Sequence, residues 1–538
     1  MTRLIAVSLF AAAAFAAMPA SAQGQGRVQI TPHIDAGQVL SADLQGGDVL
    51  TYSTVGAGVD VSVHSRRVEV QLSYNYQHRF SYDSQTGDDD FHSGVAVIRA
   101  RVTPGLTLEA GGIALRGRSD IRGATPGDLS GSGVNRSQIY SAYAGPNVAT
   151  HVGPMFVNGA YRFGYTKVEA PSDGTGVPAG SAPLDVYDDS TVHVATASVG
   201  VKSGTVLPIG VTVSGAYTRE NAGQLDNRFE GKYGRGDVVL PLGRGFAVAG
   251  GVGYEQIRIT QRDALLDVGG QPVRDANGRF VTDPASAPRL AYDTDGIFWD
   301  AGVIWRPSRR TFLEARIGKR YGEWSYTGSL SYQMGPGSGI QIGVYDSVTS
   351  FGQQTGGGVA ALPNSFDSES ENPFQQNNSG CTFGNQGSAA GSCMSGVFAS
   401  AATGNYRSRG VTGVMVMNRG PNHFGFGGGY ARRDFIAPVG APGFTVNGTS
   451  DQTYYGQVFA SRELGRDASI SGNAFINYYI SDLPGSDPTM GWGANTAYTQ
   501  RFFGHLDATA AVGVYGYEAQ GTDNDITAQA LFGLRYGF

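Results

Sequence analysis

The chain has 538 residues, of which 41% are hydrophobic and 16% are charged, and its formal net charge is −6. This mildly acidic balance excludes a nucleic-acid-binding protein built on a basic surface. After the first 22 positions no apolar run reaches the roughly 18 residues that a membrane-spanning helix requires. The 81 Gly, 27 Tyr and 26 Phe residues instead favour transmembrane strands, in which apolar residues alternate with polar ones.

Residues 1–22 have the pattern of an export signal. Arg3 gives a basic start, Leu4 to Ala17 form a short apolar stretch, and Ala20-Ser21-Ala22 forms an A-x-A cleavage site. The apolar stretch is too short to span a bilayer, and no stop-transfer segment follows it. We therefore predict a signal peptide over 1–22 and an exported mature protein over 23–538.

Alternation with a period of two residues is the main structural signal. In Arg67 to Phe80 the even positions are mostly apolar or aromatic, and the odd positions are charged or polar. Asp467 to Ile480 shows the same pattern, so each segment has one face suited to lipid and one suited to water. These segments exceed the five or six residues typical of soluble strands and match the length that a tilted transmembrane strand needs.

Short turns alternate with longer polar connections along the whole chain. The short turns are predicted at 64–67, 103–106, 151–154, 202–208, 241–245, 306–310, 334–338, 418–422, 463–467 and 502–505. Short periplasmic turns that alternate with long external loops are typical of an outer-membrane barrel. The largest external loops are expected near 261–293 and 351–404, and sequence leaves open whether 351–404 folds inward or stays outside.

This turn count predicts the fold. Ten turns at one end join twenty strands, and two terminal strands complete a single all-β, antiparallel, up-and-down transmembrane β-barrel of about 22 strands over 23–538. The segment 223–240 is the weakest strand, so 20 strands are the fallback. Because the first strand candidate begins near Arg27, we expect no plug domain.

The C-terminus supports the same fold. Ala528, Ala530, Phe532, Leu534, Tyr536 and Phe538 share one face of the last strand. A final strand that ends in Phe, with Tyr two residues earlier, resembles the terminal signature that the barrel-assembly machinery recognises in outer-membrane proteins. This resemblance implies outer-membrane localisation, with recognition by that machinery through Phe538 and contact with outer-membrane lipid and lipopolysaccharide.

Little in the sequence indicates catalysis. The eight histidines are scattered without an H-E-x-x-H pair, and there is no G-x-S-x-G sequence. We therefore expect neither an enzyme nor a bound metal or cofactor. Two cysteines in an exported chain, Cys381 and Cys393, favour one disulfide that constrains a loop, because no nearby His supports a metal site instead.

Charged residues on the polar face of the strands are the candidate functional residues, because that face lines the barrel interior, the lumen. The candidates are Arg67, Glu69, Arg79, Arg99, Arg101, Glu109, Glu314, Arg316, Arg320 and Arg535. Charges inside a barrel need water or partners. They either set the selectivity of a channel or form ion-pair ladders that stiffen the wall.

One hairpin resembles a known group of barrels. The stretch Phe298 to Thr311, followed by Leu313 to Arg316 and Gly318 to Tyr321, resembles the hairpin of outer-membrane barrels associated with exopolysaccharide and PEP-CTERM/exosortase loci. The segment Arg27 to Gln71 is also similar to alphaproteobacterial barrels sometimes labelled preprotein translocase subunit YajC. The first resemblance implies a passage or docking site for an envelope polymer, such as a polysaccharide.

Taken together, the sequence favours a passive channel for solutes or an envelope polymer. The alternative is a structural or adhesive barrel with a closed lumen, whose loops bind a surface partner. Barrels with more than about 16 strands have wide, water-filled lumens, which favours the channel. Long Gly/Ser/Asn-rich loops favour the surface role.

Overall fold

The structure is a computed structural model that describes residues 28–82, 88–123, 135–170, 184–363, 373–374, 380–384, 390–401, 404–440, 446–483, 486–519 and 525–538. The predicted signal peptide at 1–22 lies outside the described residues. A single sheet of 22 antiparallel strands closes on itself, because its first strand pairs with its last.

The first eleven strands are β1 (Val28–Asp43), β2 (Val49–His64), β3 (Val68–Ser81), β4 (Asp89–Thr103), β5 (Leu106–Arg118), β6 (Arg136–Val152), β7 (Met155–Glu169), β8 (Asp189–Val201), β9 (Gly210–Ala222), β10 (Arg228–Gly243) and β11 (Phe246–Gln261). The next four are β12 (Arg289–Ser308), β13 (Thr311–Arg320), β14 (Glu323–Gly335) and β15 (Ser338–Ser350). Helix α1 (Phe351–Ala360) and a hairpin of β16 (Cys381–Phe383) and β17 (Gly391–Cys393) follow. The ring is completed by β18 (Asn405–Arg419), β19 (Asn422–Ile436), β20 (Ser450–Glu463), β21 (Ala468–Ser481), β22 (Thr489–Phe502), β23 (Leu506–Ala519) and β24 (Asp525–Gly537).

The structure confirms the predicted fold class and the count of 22 strands. All ten short turns lie where the sequence placed them. The weak segment forms β10, which pairs along its length with β9 and β11, so the fallback of 20 strands is not needed. β10 was hard to recognise because four glycines interrupt its alternation.

The two faces of the wall differ as the alternation predicts. In β12, Ile297 is 76% exposed on the outer face while its neighbour Phe298 is 5% exposed on the inner face. In β3, Tyr74 lies on the outer face, whereas Gln71 and Asn75 are buried on the inner face. An apolar outer band around a closed ring is the pattern of a barrel that spans a bilayer. Among the described residues, no helix is both long enough and apolar enough to cross a membrane.

The described parts of the connection 351–404 pack against the inner face of the wall. β15 and β18 are adjacent in the ring, with Ser350 opposite Asn405, so this connection leaves the wall and returns at the same place. We call the residues 351–404 the inserted segment; its described parts are 351–363, which include α1, together with 373–374, 380–384, 390–401 and 404. The largest apolar cluster of the described residues lies between this segment and the inner face of β4 to β7.

Candidate functional site

A network of alternating charges lies on the inner face of β10, β12 and β13. Arg316 contacts three carboxylates, with N–O distances of 2.8 Å to Asp300, 2.9 Å to Asp237 and 2.6 Å to Glu314. Arg235 binds Asp237 at 2.6 Å and Asp300 at 3.0 Å. Two cations and three anions therefore balance each other nearly completely on this part of the wall.

Glycines let these long side chains lie flat against the wall. A Cβ atom at Gly302 would lie 2.8 Å from Cγ of Arg316, and one at Gly251 would lie 2.6 Å from Oδ1 of Asp237. Both distances are shorter than side chains tolerate, so the charged groups occupy the space that other residues would fill. The network thus covers the wall without projecting far into the lumen.

Of the predicted lumen residues, three from β13 lie in or next to this network. Glu314 and Arg316 belong to it. Arg320 lies further along the strand, where its Nε donates a 2.8 Å hydrogen bond to Glu255 and its guanidinium lies 5.1 Å from the ring centroid of Phe298. These predicted residues are therefore brought together, and each is paired.

A second ion-pair group contains two more predicted residues. Arg99 of β4 lies opposite Glu109 of β5, with Nε 3.8 Å from the carboxylate. Glu109 also lies 3.4 Å from Arg162 of β7 and accepts a 3.3 Å hydrogen bond from Asn147. Two arginines share one carboxylate, so this part of the wall has a small positive excess.

The remaining predicted residues lie apart from these groups. Arg79 places its guanidinium 3.8 Å from the ring centroid of Tyr52. Arg535 lies opposite Asp35 of β1 and Asp507 of β23. Glu69 and Arg101 occupy alternating positions that belong to the inner face. Both are exposed, because they lie near the short-turn end of their strands.

Arg67 does not line the lumen, so the prediction made for it from the sequence is wrong. It lies in the turn between β2 and β3 rather than on the inner wall, because β3 begins one residue later, at Val68. The Ser65 hydroxyl accepts hydrogen bonds from the backbone N–H groups of Arg67 and Val68, which fixes this turn. The backbone carbonyl of Arg67 accepts a 2.6 Å hydrogen bond from the N–H of Arg101.

Helix α1 packs on the inner wall of β5 to β8. Ser350 caps its first turn by accepting a 3.1 Å hydrogen bond from the N–H of Gln353. Phe351 and Val359 are almost completely buried against Ile113, Leu115 and other inner-face residues of the wall. Apolar residues on the inner face of these strands are thus explained by the helix that covers them.

A buried carboxylate on β9 fixes the start of α1. Glu220 accepts a hydrogen bond of 2.8 Å from Gln353 Nε2, a very short one from the Ser350 hydroxyl and one of 3.4 Å from the Tyr187 hydroxyl. Its side chain is 2% exposed. Glu220 therefore connects the junction of β15 and α1 to β9, a strand that is not adjacent to β15 in the ring.

The disulfide hairpin is fixed to a different part of the wall. Cys381 and Cys393 are bonded and join β16 to β17. Sulfur lies directly over β19, where a Cβ atom at Gly427 would be 2.8 Å from Sγ of Cys393. The Cys381 N–H also donates a 2.9 Å hydrogen bond to Gln457 of β20. The absence of a side chain at Gly427 on the inner face thus leaves room for the disulfide of the hairpin.

Residues 398–401 cross the lumen between these two contacts. The Arg118 N–H donates to the carbonyl of Phe398 at 3.2 Å, and the Ala401 N–H donates to the carbonyl of Arg118 at 2.8 Å. On the other side, Arg433 Nη1 of β19 donates a 2.9 Å hydrogen bond to the carbonyl of Ser400. These contacts place residues 398–401 between β5 and β19, at the long-loop end of both strands.

Arg118 itself reaches across the mouth of the barrel. Its guanidinium lies 4.3 Å from the ring centroid of Tyr479 on β21. Seven strands separate β5 from β21 on the shorter path around the ring. Ile121 and Ala399 pack in the same small cluster as Tyr479, so the loop after β5 and the inserted segment cover this mouth together.

Asp185 joins three of the long connections. Its Oδ1 accepts hydrogen bonds of 2.7 Å from Gln224 Nε2 and 2.8 Å from the N–H of Phe280. Burial raises the pKa of Asp185 to about 7, and the hydrogen bonds from Phe280 and Gln224 oppose that rise only in part. Arg279 donates a 2.6 Å hydrogen bond to the carbonyl of Val168, so the loop after β11 also folds over the barrel.

Several of these residues were not predicted from the sequence. Arg235 and Asp237 lie in the weak strand β10, and Asp300 lies between aromatic residues in β12. Strand parity was the available signal, since Phe298, Asp300 and Gly302 alternate on the inner face. Glu220 and Arg433 carried no comparable signal for their contacts with Gln353 and Ser400, because those two partners lie in the inserted segment. In the described part of the chain, no group of three His, Cys, Asp or Glu residues is placed to hold a metal.

No protein-family model and no curated protein matches the chain. Among solved structures, it is similar to the open form of the ferric-catecholate import receptor Fiu from E. coli K12, with 12% identity over 96% of this chain and 82% of that chain, and a TM-score of 0.44. It is also similar to the FrpB iron transporter from Neisseria meningitidis, with 10% identity over 96% and 82% and a TM-score of 0.42. For Pseudomonas aeruginosa OpdQ the values are 9% identity, 95% and 97% coverage, and a TM-score of 0.29. Similarities this low assign neither a family nor a function.

Proposed function

We propose that this protein is a passive conduit of the outer membrane whose lumen is narrowed by the inserted segment. The observation that carries the proposal is the combination of a polar, charge-paired inner wall with a segment that contacts both sides of it. The wall of β10, β12 and β13 suits water and dissolved solutes, whereas the apolar cluster under α1 fills a different part of the interior, along β4 to β7.

The size of the ring supports a conduit. Strands about 4.8 Å apart and tilted by about 40° give a 22-stranded ring a circumference of roughly 140 Å. Side chains of the inner wall alone do not fill a ring of this size. The inserted segment then sets the width of the passage, with α1 on one wall and the disulfide hairpin on another.

The charges of the wall support weak selectivity. The network around Arg316 has a small negative excess and the group around Glu109 has a small positive one. Because the charges within these two groups are paired and their excesses are opposite in sign, neither sign dominates this part of the passage. We therefore propose neutral or weakly charged solutes as cargo, and the resemblance of the 298–321 hairpin makes an envelope polysaccharide a candidate.

Solute uptake into vesicles tests this proposal. Refolded protein in liposomes should admit small neutral sugars and exclude larger oligosaccharides above a sharp size limit. The limit should rise when the disulfide is reduced, because the hairpin is then less firmly held. A correctly folded, heat-modifiable barrel that admits no sugar and passes no ions contradicts the proposal.

A second candidate is a structural or adhesive barrel, and one observation favours it. The loop after β11 is ordered by isolated bridges that pair Ala264 with Thr282, Leu266 with Pro272 and Arg274 with Phe280, and it leaves Val268 fully exposed. An ordered loop at the surface is a common place for a binding site, and Val268 is the large apolar residue of this loop most open to a partner. Loss of cell adhesion on Val268→Asp, with unchanged sugar uptake, would support this role.

Several expectations from the sequence remain predictions within this proposal. They are export by residues 1–22, the lack of a separate plug domain and of enzymatic activity, contact with lipopolysaccharide, and recognition of Phe538 by the barrel-assembly machinery. Phe538 is 67% exposed beside β24, and its N–H donates a 2.9 Å hydrogen bond to the carbonyl of Pro32. Its ring is therefore accessible at the end of the last strand.

A further inference from the structure

Basic residues are concentrated at the short-turn end of the barrel. We define this end as the ten short turns with three strand residues on either side of each. It contains twelve of the 39 basic residues of the chain but only four of its 45 acidic residues. The basic residues, which we call the basic collar, are Arg66, Arg67, Arg101, Lys202, Arg244, Arg306, Arg309, Arg310, Arg419, Arg462, Arg466 and Arg501.

The collar is not a consequence of overall composition. The chain as a whole is acidic, with a formal net charge of −6. All twelve collar side chains are exposed. Among the described residues, Arg501 is the collar member that forms an ion pair, at 2.9 Å from Asp507. The other eleven form no ion pair within the described residues, and with twelve basic and four acidic residues this end has an excess of eight positive charges.

Exposed apolar residues lie directly beside the collar. Trp305 precedes Arg306, and Phe502 and Phe503 follow Arg501. Trp305 is 42% exposed and Phe503 is 94% exposed, which are high values for such large side chains. Aromatic rings next to arginines are typical of the membrane–water interface, where the ring lies at headgroup level and the guanidinium extends to the phosphates.

We propose that the basic collar binds the headgroups of anionic phospholipids in the leaflet next to the short turns. Guanidinium groups bind phosphate oxygens through two parallel hydrogen bonds, and a ring of them matches a surface of phosphodiesters. A free anionic solute drawn into the lumen is the competing occupant. The lipid is favoured because the collar borders the outer apolar band, where Trp305 and Phe503 are exposed beside it.

A charge-neutralised variant and a matched control test the proposal. The collar variant is Arg309→Gln/Arg310→Gln/Arg419→Gln, which changes exposed residues in or next to two turns. The control is Arg228→Gln/Arg258→Gln/Arg274→Gln, which removes the same charge from exposed residues near the long-loop end. Neither set includes a residue of the inner-wall networks. Both variants are refolded as full-length mature protein into phosphatidylcholine vesicles with and without phosphatidylglycerol.

Retention of phosphatidylglycerol by the purified barrel is measured by native mass spectrometry, together with the thermal unfolding midpoint in each vesicle. The wild type and the control should retain the anionic lipid and gain stability from it, and high salt should reduce the gain. At about 1 kcal/mol per basic residue, the three substitutions of the collar variant should lower retention on the order of 100-fold.

Three outcomes overturn the proposal. The first is equal retention of phosphatidylglycerol by the collar variant and the wild type. The second is an equal loss in the control, which would indicate a general charge effect. The third is displacement of the lipid effect by inorganic phosphate at low concentration, which would indicate a site for a soluble anion. Ion and sugar flux are measured separately from lipid retention. A folded protein that passes neither ions nor sugars but retains the lipid would therefore refute the proposed conduit and leave the lipid proposal standing.

Discussion

Arg433 on β19 donates a 2.9 Å hydrogen bond from Nη1 to the backbone carbonyl of Ser400 in the inserted segment. The same guanidinium lies 2.7 Å from Asp451 on β20, and both side chains are almost fully buried. A wall cation that is already neutralised by its neighbour thus also holds the segment in the lumen. The wall and the segment therefore form one structure.

Arg433→Met should destabilise the barrel and loosen the segment. The substitution leaves Asp451 buried without its cation, which costs about 3–5 kcal/mol. Chemical unfolding in vesicles measures the loss in free energy of unfolding. The double variant Arg433→Met/Asp451→Leu should recover much of that stability while the contact with Ser400 stays broken. Equal instability of both variants would mean that the pair is not the cause.

Reduction of the disulfide should free the hairpin without unfolding the barrel. Closing a loop of this size contributes about 3 kcal/mol in the chain-entropy description. Cys381→Ser/Cys393→Ser should therefore increase hydrogen exchange at 380–384 and 390–394 and leave β18 to β20 protected. The matched control is reductant added to this double variant, which should have no further effect. Unchanged exchange after reduction would show that contacts with Gly427 and Gln457 hold the hairpin alone.

The packing of the long loops should depend on pH through Asp185. Its pKa rises from 3.8 in the open chain to about 7 in the folded loops. The contribution to stability is fully present below about pH 4, where the carboxyl is neutral in both states, and is lost as pH rises through 7. Hydrogen exchange at 279–283, corrected for intrinsic rates, should therefore speed up over this range.

Asp185→Asn should remove this pH dependence, because the amide keeps an oxygen acceptor and does not ionise. The exposed Asp293→Asn serves as the control and should behave as the wild type. Arg279 and Asp188 also face this region, with 3.1 Å between Arg279 Nη2 and Asp188 Oδ1. Persistence of the pH dependence in Asp185→Asn would assign it to other groups.

Removal of a cation and removal of an anion from the charge network around Arg316 should shift the ion selectivity in opposite directions. Arg316→Gln leaves Asp237, Asp300 and Glu314 in excess, so the reversal potential in a salt gradient should shift toward cation selectivity. Asp300→Asn should shift it toward anion selectivity. Each shift should be modest, because the side chains lie flat against the wall and water screens them. The absence of any shift would mean that ions do not pass this network.

The sequence specified the wall better than the interior. Alternation in segments such as β3 and β21 and the ten short turns were sufficient to predict 22 strands, since the period of two is a local property. The same alternation predicted that Glu314, Arg316 and Arg320 face the lumen. The contact of Arg433 with Ser400 could not be predicted, because it depends on how a long connection folds back through the ring.

The contact between the disulfide hairpin and β19 could not be predicted from the sequence either. Gly425, Gly427 and Gly429 interrupt the pattern of β19 and give no sign of what lies over them. Only the three-dimensional structure shows sulfur above Gly427. The apolar inner-face residues of β4 and β5 were equally uninformative before α1 was seen to cover them.

The most direct test of the constricted conduit is single-channel conductance with and without the inserted segment. Because Ser350 lies opposite Asn405, residues 351–404 can be replaced by a two-residue Asn-Gly turn that joins β15 to β18. The wild type should give small steps in a planar bilayer, and the excised variant should give larger, steady ones. Equal conductance of the two folded proteins, or silence of both, would contradict the account.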